Sequence, residues 1–91
     1  MFPFQFGEVE LTDEREQHIF QFHPDIKLYR KLFAKVLAEP EVTRKSKFDS
    51  MVLIFYRRIP SKKYLALVVK TNHRNFILAA MITHKIQHKS L

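Results

Sequence analysis

Two histidines, His18 and His23, stand in the stretch 11–25, LTDEREQHIFQFHPD, near the start of a strongly basic chain. An ordinary histidine pKa of about 6.5 lets both protonation states exist near neutrality, so this pair has the proton chemistry that a phosphodiester needs. Metal-free RNA cleavage takes a proton from a ribose 2′-hydroxyl, stabilises charge on a pentavalent phosphorus and protonates the departing 5′-oxygen. Histidine suits the first and last of these steps, Arg and Lys the second. Cations close the apolar runs of the chain, Arg57 and Arg58 after one and Lys70 after the next, and Thr83 closes the last. Arg clamps two phosphate oxygens with its planar fork, Lys acts as a point charge, and Thr83 or Tyr56 can donate a hydrogen bond. Plainer roles exist for all of them. His18 lies one turn after Glu14 and would pair with it on a helix, His23 would bond exposed backbone groups at a helix junction, and charges at strand ends are ordinary.

The elements that must position these groups are legible in outline. Thr12 and Asp13 are N-cap types, Asp13 with Glu16 three residues on forms a variant capping box, and Asp13, Glu14 and Glu16 favour the positive end of a helix dipole. A first helix therefore begins here, with His18 inside it, and Pro24 stops it at His23. Pro24 and Asp25 suit the first turn of a second helix. In that position His23 would cap it, and the dipole would favour its neutral, basic form. Ile26, Tyr29, Leu32, Phe33, Val36 and Leu37 recur at helical spacing, with Lys27, Arg30, Lys31 and Lys35 on the other faces, until Pro40 ends the pattern. After a loop at 46–50, the runs MVLIFY, YLALVV and FILAAMI have strand length and composition. Turns at 59–63 and 72–75 join them into an antiparallel meander, and a further short strand fits at 8–11 or at 42–44. The expected fold is α+β, with two N-terminal helices packed on one face of an antiparallel sheet of about four strands.

The strands are apolar on both alternating faces, so something must cover the face turned from the helices. Phe2, Phe4 and Phe6 alternate like a strand and would fold across it, or a second copy would pair there as a homodimer. The nine phenylalanines read as core and interface packing, since the strand aromatics form no RNA-recognition motif. Alternation puts Arg57 and Arg58 on opposite faces, so at most one faces a common site. Arg58, with Tyr56 on its face, is the choice.

Composition sets the remaining bounds. The 91 residues make a single domain, with 1–7 an N-terminal arm and 84–91 a basic tail, and 46% hydrophobic content argues against disorder. Sixteen Lys and Arg against nine Asp and Glu give +7, and five of the nine acids precede Gln17, so most of the domain is basic. That field concentrates polyanions, with RNA the first expectation. No cysteine is present, no leader pattern opens the chain, and no apolar run reaches membrane-spanning length. A cytoplasmic protein without a membrane partner is expected. Gly7 is the only glycine, which excludes a glycine-rich phosphate loop. His84 and His88, in THKIQHKS, have helical ligand spacing but no acid follows Asp49. Neither a metal nor another cofactor is therefore expected.

LTDEREQHI at 11–19, HPD at 23–25, AEPEV at 38–42, YLALVVK at 64–70 and FILAAMIT at 76–83 follow one another in an order that resembles small phage-associated and toxin-like ribonucleases. These are grouped by fold with barnase, EndoU, colicin D and RelE. The resemblance implies a metal-independent endoribonuclease, with His18 the leading acid or base, His23 next, and an antitoxin protein as a further partner. Gln17 and Ala79-Ala80-Met81 stand where related sequences carry a bulky aromatic and a TAY-like strand. The missing hydroxyls support an alternative, a non-catalytic module of the same fold that binds nucleic acid or protein.

Overall fold

Pro24 divides the helical region as its geometry requires. Residues 1–5 and 7–86 are described in the computed structural model; Phe6 and residues 87–91, with His88 and most of the expected basic tail, lie outside the described residues. Helix α1, Asp13–Phe22, is capped by Thr12, whose side-chain oxygen accepts the Arg15 N–H at 3.1 Å. The capping box expected between Asp13 and Glu16 does not form, because Asp13 is already inside the helix and Glu16 pairs with Arg30. At the far end His23 leaves helical dihedrals (φ −136°, ψ 72°), and its N–H closes on the Ile19 carbonyl at 2.8 Å. The following proline disfavours helical dihedrals at this position, and the helix ends here.

The second helix is not one helix. Pro24–Leu32 winds as a 3₁₀ helix, and only Phe33–Ala38 is an α-helix, α2. The spacing of the apolar residues explains the change. Ile26, Tyr29 and Leu32 fall three apart, which lines one face of a helix with three residues per turn, whereas Phe33, Val36 and Leu37 follow the α period. His23 makes no side-chain cap to this segment; its carbonyl accepts the Ile26 N–H at 3.0 Å instead.

A hairpin, not a helix, opens the chain: β1, Phe2–Phe4, pairs antiparallel with β2, Gly7–Val9. Gly7 has φ +125°, a conformation open chiefly to glycine, and it receives the chain from the turn. Phe2 stacks obliquely on Phe33 at 6.5 Å, and Phe4 meets Phe55 edge-on at 5.8 Å. These two residues therefore join the helical layer rather than crossing the opposite face of the sheet, because their partners lie on the helix side.

The meander is as expected, and of the two candidate short strands the one at 42–44 joins it, while the one at 8–11 is represented by β2 in the separate hairpin sheet. Strands β3 (Val42–Lys45), β4 (Val52–Ile59), β5 (Lys63–Thr71) and β6 (Asn75–Thr83) form one antiparallel sheet in the order β3-β4-β5-β6. On the helix side Phe55, Leu67 and Ala80 sit in one row across β4, β5 and β6. Ile26, Phe33, Val36 and Leu37 close over that face, all at 0 or 1% exposure. A fully buried side chain of this size contributes about 1.5–3 kcal/mol by transfer, so the one core on this side carries the fold. Among the described residues no helix is long and apolar enough to cross a membrane.

Candidate functional site

Among the described residues no helix packs on the other face of the sheet. Register places Arg58 opposite Tyr64 and Tyr64 opposite Thr83, a single row across β4, β5 and β6. The next row is Tyr56, Ala66 and Met81, with Val42 beside Tyr56 on β3. The row beyond it begins with Arg44 and Ile54. Ala66 is small, so the sheet dips between Tyr56 and Met81. The resulting basin, about 280 Å³, is walled by Ser46, Lys47 and Phe48 from the β3–β4 loop and by Thr83 and Lys85. Phe48 is 89% exposed, with the Lys47 ammonium 5.3 Å from its ring centre.

Each residue expected on this surface has a definite role. Arg58 is exposed, and its guanidinium lies 6.0 Å from the centre of the Tyr64 ring, within reach of a cation–π contact. Its backbone N–H donates to the Glu41 carboxylate at 2.8 Å. Tyr56 is only 4% exposed and belongs to the floor of the basin, so its ring supports the surface rather than presenting itself. Thr83 does not offer a free hydroxyl. It donates to the Lys85 carbonyl at 3.1 Å and accepts the Lys85 N–H at 3.3 Å, a local turn that brings Lys85 to the rim. Arg57 faces the helices, as alternation required. It donates at 2.6 Å to the Glu39 carbonyl at the C-terminus of α2, where a cation meets the negative end of the helix.

Lys70 lies further along the open face, paired with Asp49. The hydrogen bond from Lys70, helped by a bond from the Met51 N–H, holds the Asp49 carboxyl below its usual range, while burial works weakly the other way. Lys70 is therefore anchoring the loop before β4.

The histidines lie elsewhere. His18 and His23 line one groove of about 260 Å³ with Phe22, between α1 and residues 78–80 at the outer edge of β6. The His18 ring packs on Phe22 with centres 4.7 Å apart. Among the described residues the ion pairs are Glu16–Arg30, Asp49–Lys70 and Glu10–Arg74, so the expected pairing of His18 with Glu14 does not form. The structure thus keeps His18 with His23 and Arg58 with Thr83, but it does not bring the two pairs together. Ala80, in the groove, and Thr83, in the basin, are three residues apart, roughly 10 Å at the rise of a strand.

Sequence reasoning missed Tyr64, Phe48, Lys47 and Lys85. Tyr64 was within reach, since a three-residue turn at 60–62 fixes the register that sets it opposite Arg58. It also missed His73, which lines a cleft of about 400 Å³ with Glu14 and Arg15 at the start of α1 and with Arg74, itself paired to Glu10. That cleft carries both signs of charge and so selects for neither. Among the described residues no group of three His, Asp or Glu is placed to hold a metal ion. Comparison with family models, with curated proteins and with solved structures finds no match to the chain.

Proposed function

We propose that this protein binds RNA, as a single strand, across the open face of the sheet. The observation that carries the reading is the row Arg58, Tyr64 and Thr83 beside a shallow basin whose rim bears Lys47 and Lys85. Single-stranded RNA needs cations that follow the phosphates and exposed rings on which bases stack. Arg58, Lys47, Lys85 and Arg44 supply the first; the exposed ring of Phe48 supplies the second, with the half-buried Tyr64 beside Arg58 adding to it. The net charge of +7 draws the polyanion in.

Titration of a labelled mixed-sequence RNA at several salt concentrations tests this. Affinity is expected to fall steeply with salt, and Arg58→Ala is expected to flatten the log–log slope by about 0.7, one lost phosphate contact. Phe48→Ala is expected to weaken binding about tenfold at every salt concentration, the loss of one stacked base. Binding that is absent at low salt, or insensitive to both substitutions, refutes the open face as the RNA surface.

A second reading, a metal-independent endoribonuclease, is favoured by one observation: His18 and His23 share a groove beside β6, the strand that leads to Thr83. Incubating RNA with the protein in excess chelator distinguishes the two. Products with cyclic phosphate ends, lost in His18→Ala or His23→Ala, establish the nuclease; intact RNA that remains bound establishes the binding module.

A further inference from the structure

We propose that the outer edge of β6 is a docking site for an extended, acidic segment of another protein, which adds to the sheet as a further strand beyond β6. The two edges of this sheet are built differently. β3 is four residues long and carries Arg44 and Lys45, the charges with which a free edge discourages pairing. β6 is nine residues long, NFILAAMIT, without a charge or a proline. An edge of that length and composition invites a partner strand.

Its outer side is engaged at only one end. The Glu10 N–H donates to the Asn75 carbonyl and the Ile77 N–H to the Glu10 carbonyl, both at 2.8 Å, in an isolated parallel bridge. Beyond Ile77 the register slips at Leu78, and no strand pairs with the outer side of the rest of β6 among the described residues. Here α1 stands off from β6 and leaves the groove that holds His18, Phe22 and His23, with Ala79 and Ala80 as its narrow floor. Phe22 is 64% exposed on the wall of this groove, ready to cover an apolar side chain of an added strand. A strand edge facing a helix across such a groove offers backbone hydrogen bonds on one side and side-chain contacts on the other.

Charge decides the occupant. No acid follows Asp49, the acids of α1 are in its first turn, and His84 and Lys85 follow β6 directly. A second copy, also at +7, meets long-range repulsion, whereas an acidic segment is drawn in. The site is distinct from the RNA surface, which lies on the face of the sheet rather than along its edge.

The probe is a synthetic twelve-residue peptide of alternating glutamate and valine, titrated into the intact protein while amide hydrogen exchange is followed residue by residue. Alternate amides between Ala79 and Thr83 are expected to gain protection. Methylating the peptide nitrogens on one edge is expected to weaken binding by more than about tenfold, since several hydrogen bonds are lost at once. Replacing its glutamates by lysine is expected to abolish binding. Equal binding by the methylated peptide overturns the proposal, because attraction would then rest on charge alone. Protection confined to other strands, or none at millimolar peptide, overturns it too. Protection of these amides by self-association, without peptide, overturns the choice of an acidic partner.

Discussion

Asp49 and Lys70 show how a residue expected at a site can be spent on structure. Lys70 holds Asp49 in its charged form, so the folded state binds that proton less readily than the unfolded chain does. The resulting stability is fully present above the ordinary carboxylate pKa of the unfolded chain and is lost as pH falls through the lower folded value. Asp49→Asn is therefore expected to lower the melting temperature at neutral pH, and to make no difference once the medium is acidic enough to protonate the native carboxyl. Equal losses at both pH values would show that the ion pair is not the cause. Arg57 makes the same point by geometry. Alternation alone separated it from Arg58, but the carbonyl of Glu39 that claims it belongs to a helix end eighteen residues earlier in the chain, and no local pattern reveals that partner. Thr83 is similar, because the hydroxyl that suggested a phosphate contact is satisfied two residues away.

At the scale of elements, the turn at 60–62 is the least comfortable piece of the sheet. Ser61 (φ 70°) and Lys62 (φ 58°) both occupy the left-handed region, which costs a side-chain-bearing residue free energy that glycine does not lose. Lys62→Gly is expected to stabilise the protein by about 0.5–1 kcal/mol, read as a higher denaturant midpoint at an unchanged slope. Elements defined by local chemistry were legible: Pro24 ended α1, the three apolar runs became β4, β5 and β6, and both short strands exist. The 3₁₀ segment was legible only in hindsight, since Ile26, Tyr29 and Leu32 fit periods of 3.0 and 3.6 almost equally over so few turns. The position of Phe2 and Phe4 was not legible. Alternation shows that a strand has two faces but does not say which layer it will join, and here the rings of Phe33 and Phe55 decide it.

Over the whole molecule, the candidate site was legible as a list of residues but not as a place. His18 and His23 belong together because Pro24 is a local signal. Arg58 belongs with Thr83 because three strands share a register. The relation between the two pairs depends on how α1 lies along β6, and that is a matter of packing across sixty residues of sequence, for which no pattern exists. The charge, by contrast, is a property of the whole chain. At +7, with three ion pairs among the described residues to offset it, the folded state repels itself. Its melting temperature at neutral pH is expected to rise as salt increases from about 10 to 200 mM, where the screening length falls below the width of the molecule. A fall instead would mean that the ion pairs outweigh the net repulsion.

The bridge between Glu10 and β6 also orders events in time. The meander from β3 to β6 is built from neighbours, each strand beside the one made just before it, so its contacts close short loops and form early. Glu10 bonds to Asn75 and Ile77, and until β6 exists neither bond has a partner. During synthesis the opening hairpin and α1 therefore leave the ribosome long before their place beside the sheet has been made; Phe2 and Phe4 can meet Phe33 and Phe55 sooner, but the bridge from Glu10 must wait for the last strand to arrive.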